Sequence, residues 1–420
     1  MKLTEDINEL LKKGGAAFFI RIVGFLAGYL FIFYTVKLFG AETQGRLSLS
    51  FSIMILGSLL CRLGIDINFV KIFAISDNFE NAKGLYFKIA PLFFIISGLV
   101  SISIYIFSNL ISEYVFNDPE LSIYLKWTAP CILFFTFILI NAAVFRGLRF
   151  NSLYSFLFNG GRFLITVLIF SALILFFPDK AHFTIIAHTT SIFLLFLISF
   201  YFIKKHLFPI NITTKYQRTN FIKDSIPMLL SASMIVFLGW ADTIILGIFK
   251  NSDEVGIYSV ALKIAAVTSF TFQALDSILA PKLSKSFHDN DMSQFKKLVQ
   301  FSTRINFIVS LFVVLGIIIF RDLILGIFGE EFYLTTYALI ILCIGQLFNA
   351  ICGPVGSILQ MTGHQKVFQN VLLIALFINI TLNLLLVKPY GVTGVAIATA
   401  VSLAFWNITS VIYIKQKRIY

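Results

Sequence analysis

Charge is what this sequence has least of: 13% of its 420 residues are Asp, Glu, Lys or Arg, against roughly 25% in a soluble globular domain. With 58% hydrophobic residues and a mean hydropathy of +0.90, this deficit excludes an ordinary water-soluble domain and puts the chain in a bilayer. Cysteine is also sparse. Cys61, Cys131, Cys343 and Cys352 all lie in apolar runs without metal-ligand spacing, which excludes a disulfide framework and makes them small buried hydrophobes. No phosphate-cradling glycine loop and no metal-ligand set is present, so no cofactor is expected. The N-terminal "MKLTEDINELLKKGG" has no apolar core leading to a small-residue cleavage site, so no removable signal peptide is expected.

What the chain does have is apolar runs long enough to cross a hydrocarbon core as helices, which takes about 20 residues. Twelve are expected, at 16–38, 47–65, 87–107, 127–145, 153–177, 183–203, 226–249, 255–280, 305–320, 337–358, 367–387 and 392–414. The ninth is short enough to need flanking residues. Lys and Arg are retained on the cytoplasmic side of a membrane protein, and here they alternate. With the N-terminus inside, inner segments and helix ends hold 23 of the 33 basic residues and outer ones hold 7, which puts both termini in the cytoplasm. Anionic lipid at the inner loops accounts for the net charge of +12 without nucleic acid.

The stretch "FGAETQGRLSLSFSI" at 39–53 has a counterpart, "FKNSDEVGIYSVALKI", at 249–264. Shifted by 211 residues, Glu42 falls on Asp253, Gly45 on Gly256, Ser48 on Ser259, Ile53 on Ile264, Ser58 on Ser269 and Lys71 on Lys282. Both copies sit where one helix ends outside and the next returns. Six helices precede the basic segment 204–225 and six follow it, so the two sets share an orientation and form a parallel repeat. The expected organisation is an interfacial segment 1–15, an N-lobe 16–203, a cytoplasmic linker 204–225, a C-lobe 226–414 and a cytoplasmic tail 415–420. The fold class is all-α integral membrane, with twelve transmembrane helices in two six-helix lobes around a central cleft.

Residues 225–287, "SIPMLLSASMIVFLGWADTIILGIFKNSDEVGIYSVALKIAAVTSFTFQALDSILAPKLSKSF", resemble the stretch after the midpoint of polysaccharide flippases of the multidrug/oligosaccharidyl-lipid/polysaccharide (MOP) superfamily. The shared features are a proline at a helix start, an aspartate in helix seven, an E-V-G-x-Y turn and a proline ending helix eight. "GFLAGYLFIFYTVKLFGAETQGRLSLS" and "KPYGVTGVAIATAVS" extend the resemblance over nearly the whole chain. It implies an O-antigen-type flippase in the bacterial cytoplasmic (inner) membrane. Such a protein moves an undecaprenyl-pyrophosphate-linked oligosaccharide from the inner to the outer leaflet by alternating access, for surface polysaccharide (O-antigen or capsule) biosynthesis. The implied partners are that lipid, the bilayer and other polysaccharide assembly proteins.

A diphosphate cargo needs cations in an otherwise apolar setting, and an ionisable residue inside a membrane helix is a functional candidate by default. At 1.5 Å per residue, Arg162 lies roughly 14 Å and Lys263 roughly 12 Å into a ~30 Å core, one in each lobe. Arg21 lies about 8 Å from the inner surface and shares a face with Gly24 and Gly28; related lipid flippases place cations on the first helix. Arg21, Arg162, Lys263 and Arg62 are the substrate-binding candidates. Bland readings stand beside them: Arg162 pairing in its own lobe or snorkelling, Lys263 neutralising Asp242, and Arg62 with Asp66 forming an exposed i, i+4 pair rather than a cytoplasmic gate. Asp66, Asp242, Asp276 and His188 are the ion-coupling candidates. His188 shares a stripe with Thr184 and Ser191 that reads as a wet face or as a satisfied core histidine. Asn370, Asn379, Thr381 and Asn383, with Gln346 and Asn349, contact sugar hydroxyls or glue helices together, and glue is the expectation. No oxygen cluster is specific enough to name a sodium site.

The segment "TEDINELLKK" and residues 283–303 read as amphipathic interfacial helices without chemistry. Two other functions compete. A polytopic polysaccharide polymerase needs catalytic groups in an outer loop, and the longest outer loop, 108–126, offers only Glu113, Asp118 and Glu120. A cation-coupled multidrug antiporter of the same superfamily is expected to concentrate carboxylates in one lobe, whereas cations predominate here. A transporter, not an enzyme, is therefore expected.

Overall fold

The computed structural model describes residues 2–74, 79–210, 212–417 and 419; the side chains of 2–14, 231–232, 271, 273–278 and 281 lie outside that description. The described residues are nearly all helical and contain no strand, as hydrocarbon requires, because a helix satisfies its own backbone polar groups. The first compact unit, Met1–Ser233, holds α1 (Lys2–Arg62), α2 (Ile65–Ala74), α3 (Phe79–Ile106), α4 (Leu121–Gly147), α5 (Gly161–Phe176) and α6 (Phe183–Leu207). α7 (Arg218–Phe249) runs into the second unit, Met234–Tyr420, which continues with α8 (Ser252–Ala266), α9 (Phe270–His288), α10 (Met292–Ile319), α11 (Thr336–Cys352) and α12 (Gln365–Gln416).

Eight described helices are long and apolar enough to cross a membrane, or nine if Arg218–Leu230 and Ser233–Phe249 count as one span. Two of the eight are too long for one crossing. α1 breaks at Gly40 (φ 77°, ψ −179°) and α12 at Gly391 (φ 50°, ψ −131°), so each is two spans joined at a residue whose positive φ suits glycine. The remaining expected span, 255–280, falls within residues 252–288, which form two helices joined by the 3-10 turn Val267–Ser269. The sequence read this stretch as one unbroken helix; in the structure it is interrupted.

The sequence repeat has a structural counterpart. The 211-residue shift puts Gly40 on Asn251, and both leave helical geometry: Gly40 inside α1, and Asn251 (φ −81°, ψ 169°) as the N-cap of α8, its side chain accepting from the Glu254 N–H. The outer turn expected at 39–46 has shrunk to Gly40 alone. The amphipathic helix expected over 283–303 is also split. α9 ends at His288 and α10 starts after Asp291, whose side chain caps the Gln294 N–H at 2.9 Å. The "TEDINELLKK" segment is helical and continuous with the first span.

Long apolar faces remain exposed, such as Phe94, Ile95, Leu99, Ile102 and Ile106 on α3 and Leu373, Ile374, Phe377, Leu384 and Leu385 on α12. Faces of this extent meet lipid rather than water. Polar side chains inside the first unit join helices: Tyr86 donates to Asn141 Oδ1 at 2.7 Å, and Asn141 Nδ2 donates to Ser199 Oγ at 3.0 Å, which links α3, α4 and α6.

Candidate functional site

Arg21 is positioned by the closest helix approach in its neighbourhood. A Cβ on Gly24 would fall 2.4 Å from Gly160 Cα, and one on Gly160 would fall 2.5 Å from Ile20 Cγ2. Small residues let backbones meet in this way inside a membrane. Gly160 ends a π-helical turn, Phe156–Gly160, in which the Gly161 N–H reaches Phe156 O five residues back. That extra residue re-phases the helix around it, so one span sends Ser155 toward α1 and Arg162 toward α6. Arg21 Nε donates to the buried Ser155 Oγ at 3.2 Å, and its guanidinium carbon lies 6.0 Å from the Tyr154 ring centroid. It makes no other hydrogen bond and has no carboxylate partner among the described residues.

Arg162 and His188, separate candidates for substrate binding and for coupling, are direct partners. Arg162 is 8% exposed and His188 1%, and Arg162 Nε donates to His188 Nε2 at 2.8 Å. Three rings cage the guanidinium, with centroids at 4.8 Å (Phe51), 5.5 Å (Phe135) and 4.6 Å (Phe163), so cation–π attraction takes the place of a counter-ion. The accepting Nε2 puts the histidine proton on Nδ1. Nδ1 and Arg162 Nη2 are both buried without a partner. Ser191, on the His188 stripe, donates to the Arg162 carbonyl at 2.7 Å. Arg162 therefore pairs inside its own unit, and the stripe is packed rather than wet.

Asp242 organises the second unit. It is 2% exposed and accepts from four neutral side chains: Asn383 Nδ2 at 2.7 Å and Asn379 Nδ2 at 3.1 Å on one oxygen, Tyr258 Oη at 3.0 Å and Thr399 Oγ1 on the other. Asn379 Nδ2 also reaches Ser402 Oγ at 3.3 Å, and Asn383 Oδ1 is buried without a partner. The helix-gluing expectation for Asn379 and Asn383 is met, with a buried carboxylate as the object glued. Lys263 is exposed on α8 and is not among the partners of Asp242. Asp242 can hold a proton. With the amides of Asn379 and Asn383 turned so that oxygen faces the carboxylate, the same side chains offer a hard cation an all-oxygen shell. The Asp276 side chain lies outside the described residues.

Arg62 and Asp66 do form an ion pair, but with side chains 10% and 17% exposed it is buried rather than solvated. Arg62 Nε also donates to the Ser58 carbonyl at 3.2 Å. Arg46, which falls in the outer turn expected at 39–46, is instead 6% exposed on α1. It grips Asp118 with two bonds, 2.8 and 3.1 Å, and reaches Glu120 and Glu42 at 2.5 Å each. Two of the three acids a polymerase would have needed in that loop are thus committed to an ion-pair network. Sequence spacing could not show this, because the partners lie more than 70 positions apart.

Comparison with known proteins agrees with this architecture. The chain is 31% identical over 169 residues to the probable low-salt glycan biosynthesis flippase Agl15 of Haloferax volcanii, covering 40% of this chain and 36% of that protein. It is 26% identical over 175 residues to a putative O-antigen transporter of Shigella flexneri, covering 41% and 40%. In both cases the match spans less than half of the relative. Among solved structures, the lipid II flippase MurJ in an inward closed conformation superposes with a TM-score of 0.77 at 16% identity, covering 96% of this chain and 87% of that one. An inward-facing multidrug resistance MATE family transporter of the MOP superfamily gives 0.69 at 14%, covering 96% and 98%. The MatE family matches residues 227–385. The family described as polysaccharide biosynthesis protein matches residues 10–287, more than half of the chain, and it is to this family that the chain belongs.

Proposed function

We propose that this protein is a flippase that carries a polyprenyl-pyrophosphate-linked oligosaccharide from the inner to the outer leaflet of the cytoplasmic membrane for surface polysaccharide assembly. Both termini are cytoplasmic in this reading, and no bond is made or broken. The observation that carries it is Arg21: a half-buried guanidinium in a spanning helix, fixed through Nε by Ser155, with its remaining N–H groups unengaged among the described residues. A guanidinium held in this way is a ready fork for a phosphate. The family match over 10–287 supports a polysaccharide pathway. The likeness to a lipid II flippase supports the fold.

Asp242 is the coupling group in this proposal. Among the described residues it is the buried carboxylate of the second unit, and its four neutral donors leave it able to exchange a proton or a small cation as the transporter cycles. Lys263, Arg62, Asp66 and Asp276 take secondary places: Arg62 and Asp66 as each other's partner, Lys263 as an exposed cation on α8. The rival reading, a cation-coupled drug antiporter, draws on the MatE match at 227–385. Against it, Arg21 and Arg162 have no carboxylate partner among the described residues, a poor environment for a cationic drug. Purified protein in proteoliposomes, given either a radiolabelled lipid-linked oligosaccharide or a cationic dye, separates the two. Movement of the lipid-linked sugar is expected; dye transport without it would overturn the proposal.

A further inference from the structure

Arg21 has an unassigned companion. Arg146 stands in the last turn of α4, where a cation meets the negative end of the helix dipole. Its guanidinium carbon lies 5.2 Å from the centroid of the same Tyr154 ring that Arg21 approaches at 6.0 Å. The two guanidinium carbons are therefore within about 11 Å of each other, the sum of those two distances. The Arg146 side chain is exposed, makes no hydrogen bond and has no carboxylate partner among the described residues. Two like charges sharing one ring repel; the ring quadrupole acts on both, Ser155 holds Arg21 through Nε, and the helix end favours Arg146. An anion with two charged groups would relieve both at once.

We infer that Arg146 and Arg21 form a two-arginine clamp for a diphosphate, one guanidinium for each phosphate, with Tyr154 as the spacer. The inference rests on the flippase reading above and adds a residue and a selectivity to it. The chemistry distinguishes the roles. Arg21 is tethered through Nε to Ser155, which leaves both of its Nη groups for one phosphate; Arg146 is untethered and swings from the ring to the second phosphate. A monophosphate satisfies Arg21 alone. The clamp thus prefers diphosphate to monophosphate, and that preference belongs to Arg146.

The test is calorimetric titration of the full chain in neutral detergent with farnesyl diphosphate and with farnesyl monophosphate. The parent should bind the diphosphate more tightly. Arg146→Gln should lose about tenfold or more in diphosphate affinity, the loss of one charge-assisted contact, with monophosphate binding nearly unchanged. Arg146→Lys, which restores charge but not the planar fork, should recover part of the preference, and Arg149→Gln, the same charge change three residues on, should keep all of it. The clamp is overturned if Arg146→Gln keeps the preference, if Arg149→Gln abolishes it equally, or if phosphatidylglycerol displaces the diphosphate at matched concentration, which would assign the cations to bilayer phospholipid. A parent that shows no diphosphate preference overturns the clamp and the pyrophosphate cargo together. A parent that flips lipid-linked oligosaccharide, with Arg146→Gln binding both probes normally, overturns the clamp alone.

Discussion

Gly24→Ala adds one methyl group at the crossing that places Arg21. Its carbon would fall 2.4 Å from Gly160 Cα, 3.0 Å from Gly160 O and 3.1 Å from Asn159 O. All three are backbone atoms, with no rotamer through which to move aside. Carbon contacts settle near 3.5–4.0 Å, so α1 and the π-helical turn must part by about 1 Å. Overpacking of this kind costs about 1–3 kcal/mol, and alanine returns about 1 kcal/mol of helix propensity over glycine. The net stability loss is then small, about 0–2 kcal/mol. The Arg21–Ser155 bond, already 3.2 Å long, has little such margin, because hydrogen bonds weaken beyond about 3.2 Å and are lost by about 3.6 Å. Function should therefore fall further than stability. In a strain deleted for its own flippase, Gly24→Ala should cut surface polysaccharide export about tenfold, the value of one hydrogen bond to a charged group, while protein level and helix content hold. Gly28→Ala is the matched control. There the new Cβ meets only the Phe163 ring, at 3.4–3.9 Å, an ordinary contact, so export should stay at the parent rate. Parent-rate export from Gly24→Ala would refute the link between this crossing and Arg21.

Arg21→Ala should nearly abolish export at normal protein level, a loss of roughly 1.5–3 kcal/mol or ten- to a hundredfold in binding; Arg21→Lys should impair it more than a charge count suggests, and a change at Lys126 should do little. Asp242→Asn should uncouple transport from an imposed proton or sodium gradient in proteoliposomes while leaving the fold intact by circular dichroism, and gradient-driven transport at the parent rate would remove Asp242 from the coupling role. His188→Phe strands the buried Arg162 guanidinium and should lower thermal stability by about 1–3 kcal/mol, whereas His188→Gln, which keeps an acceptor, should lower it less. Reporters at Asn251 and Asp179 should be accessible outside, and those at Asn220 and Asn290 inside; a swapped site breaks the topology at that point.

The helices were legible in the sequence because a bilayer leaves little choice: a run of about 20 apolar residues must satisfy its own backbone, and only a helix does so. The 211-residue echo likewise marked the stretches that hold the two breaks, at Gly40 and Asn251, since chain reversal needs particular backbone angles and those leave a local mark. Arg21, Arg162, His188 and Asp242 stood out for a similar reason, each being an expensive residue in an apolar run. Which of them touch was decided only by packing. Asp242 acquires Asn379, Asn383 and Thr399 from more than 130 positions away, Arg162 finds His188 26 positions on, and Arg46 is pulled out of its expected loop by Asp118 and Glu120. A one-dimensional pattern records the cost of burying a polar group. The partner that offsets this cost is fixed by helix crossings, and these depend on contacts such as Gly24 against Gly160 and on the π-helical turn at Phe156–Gly160, which composition and period do not encode.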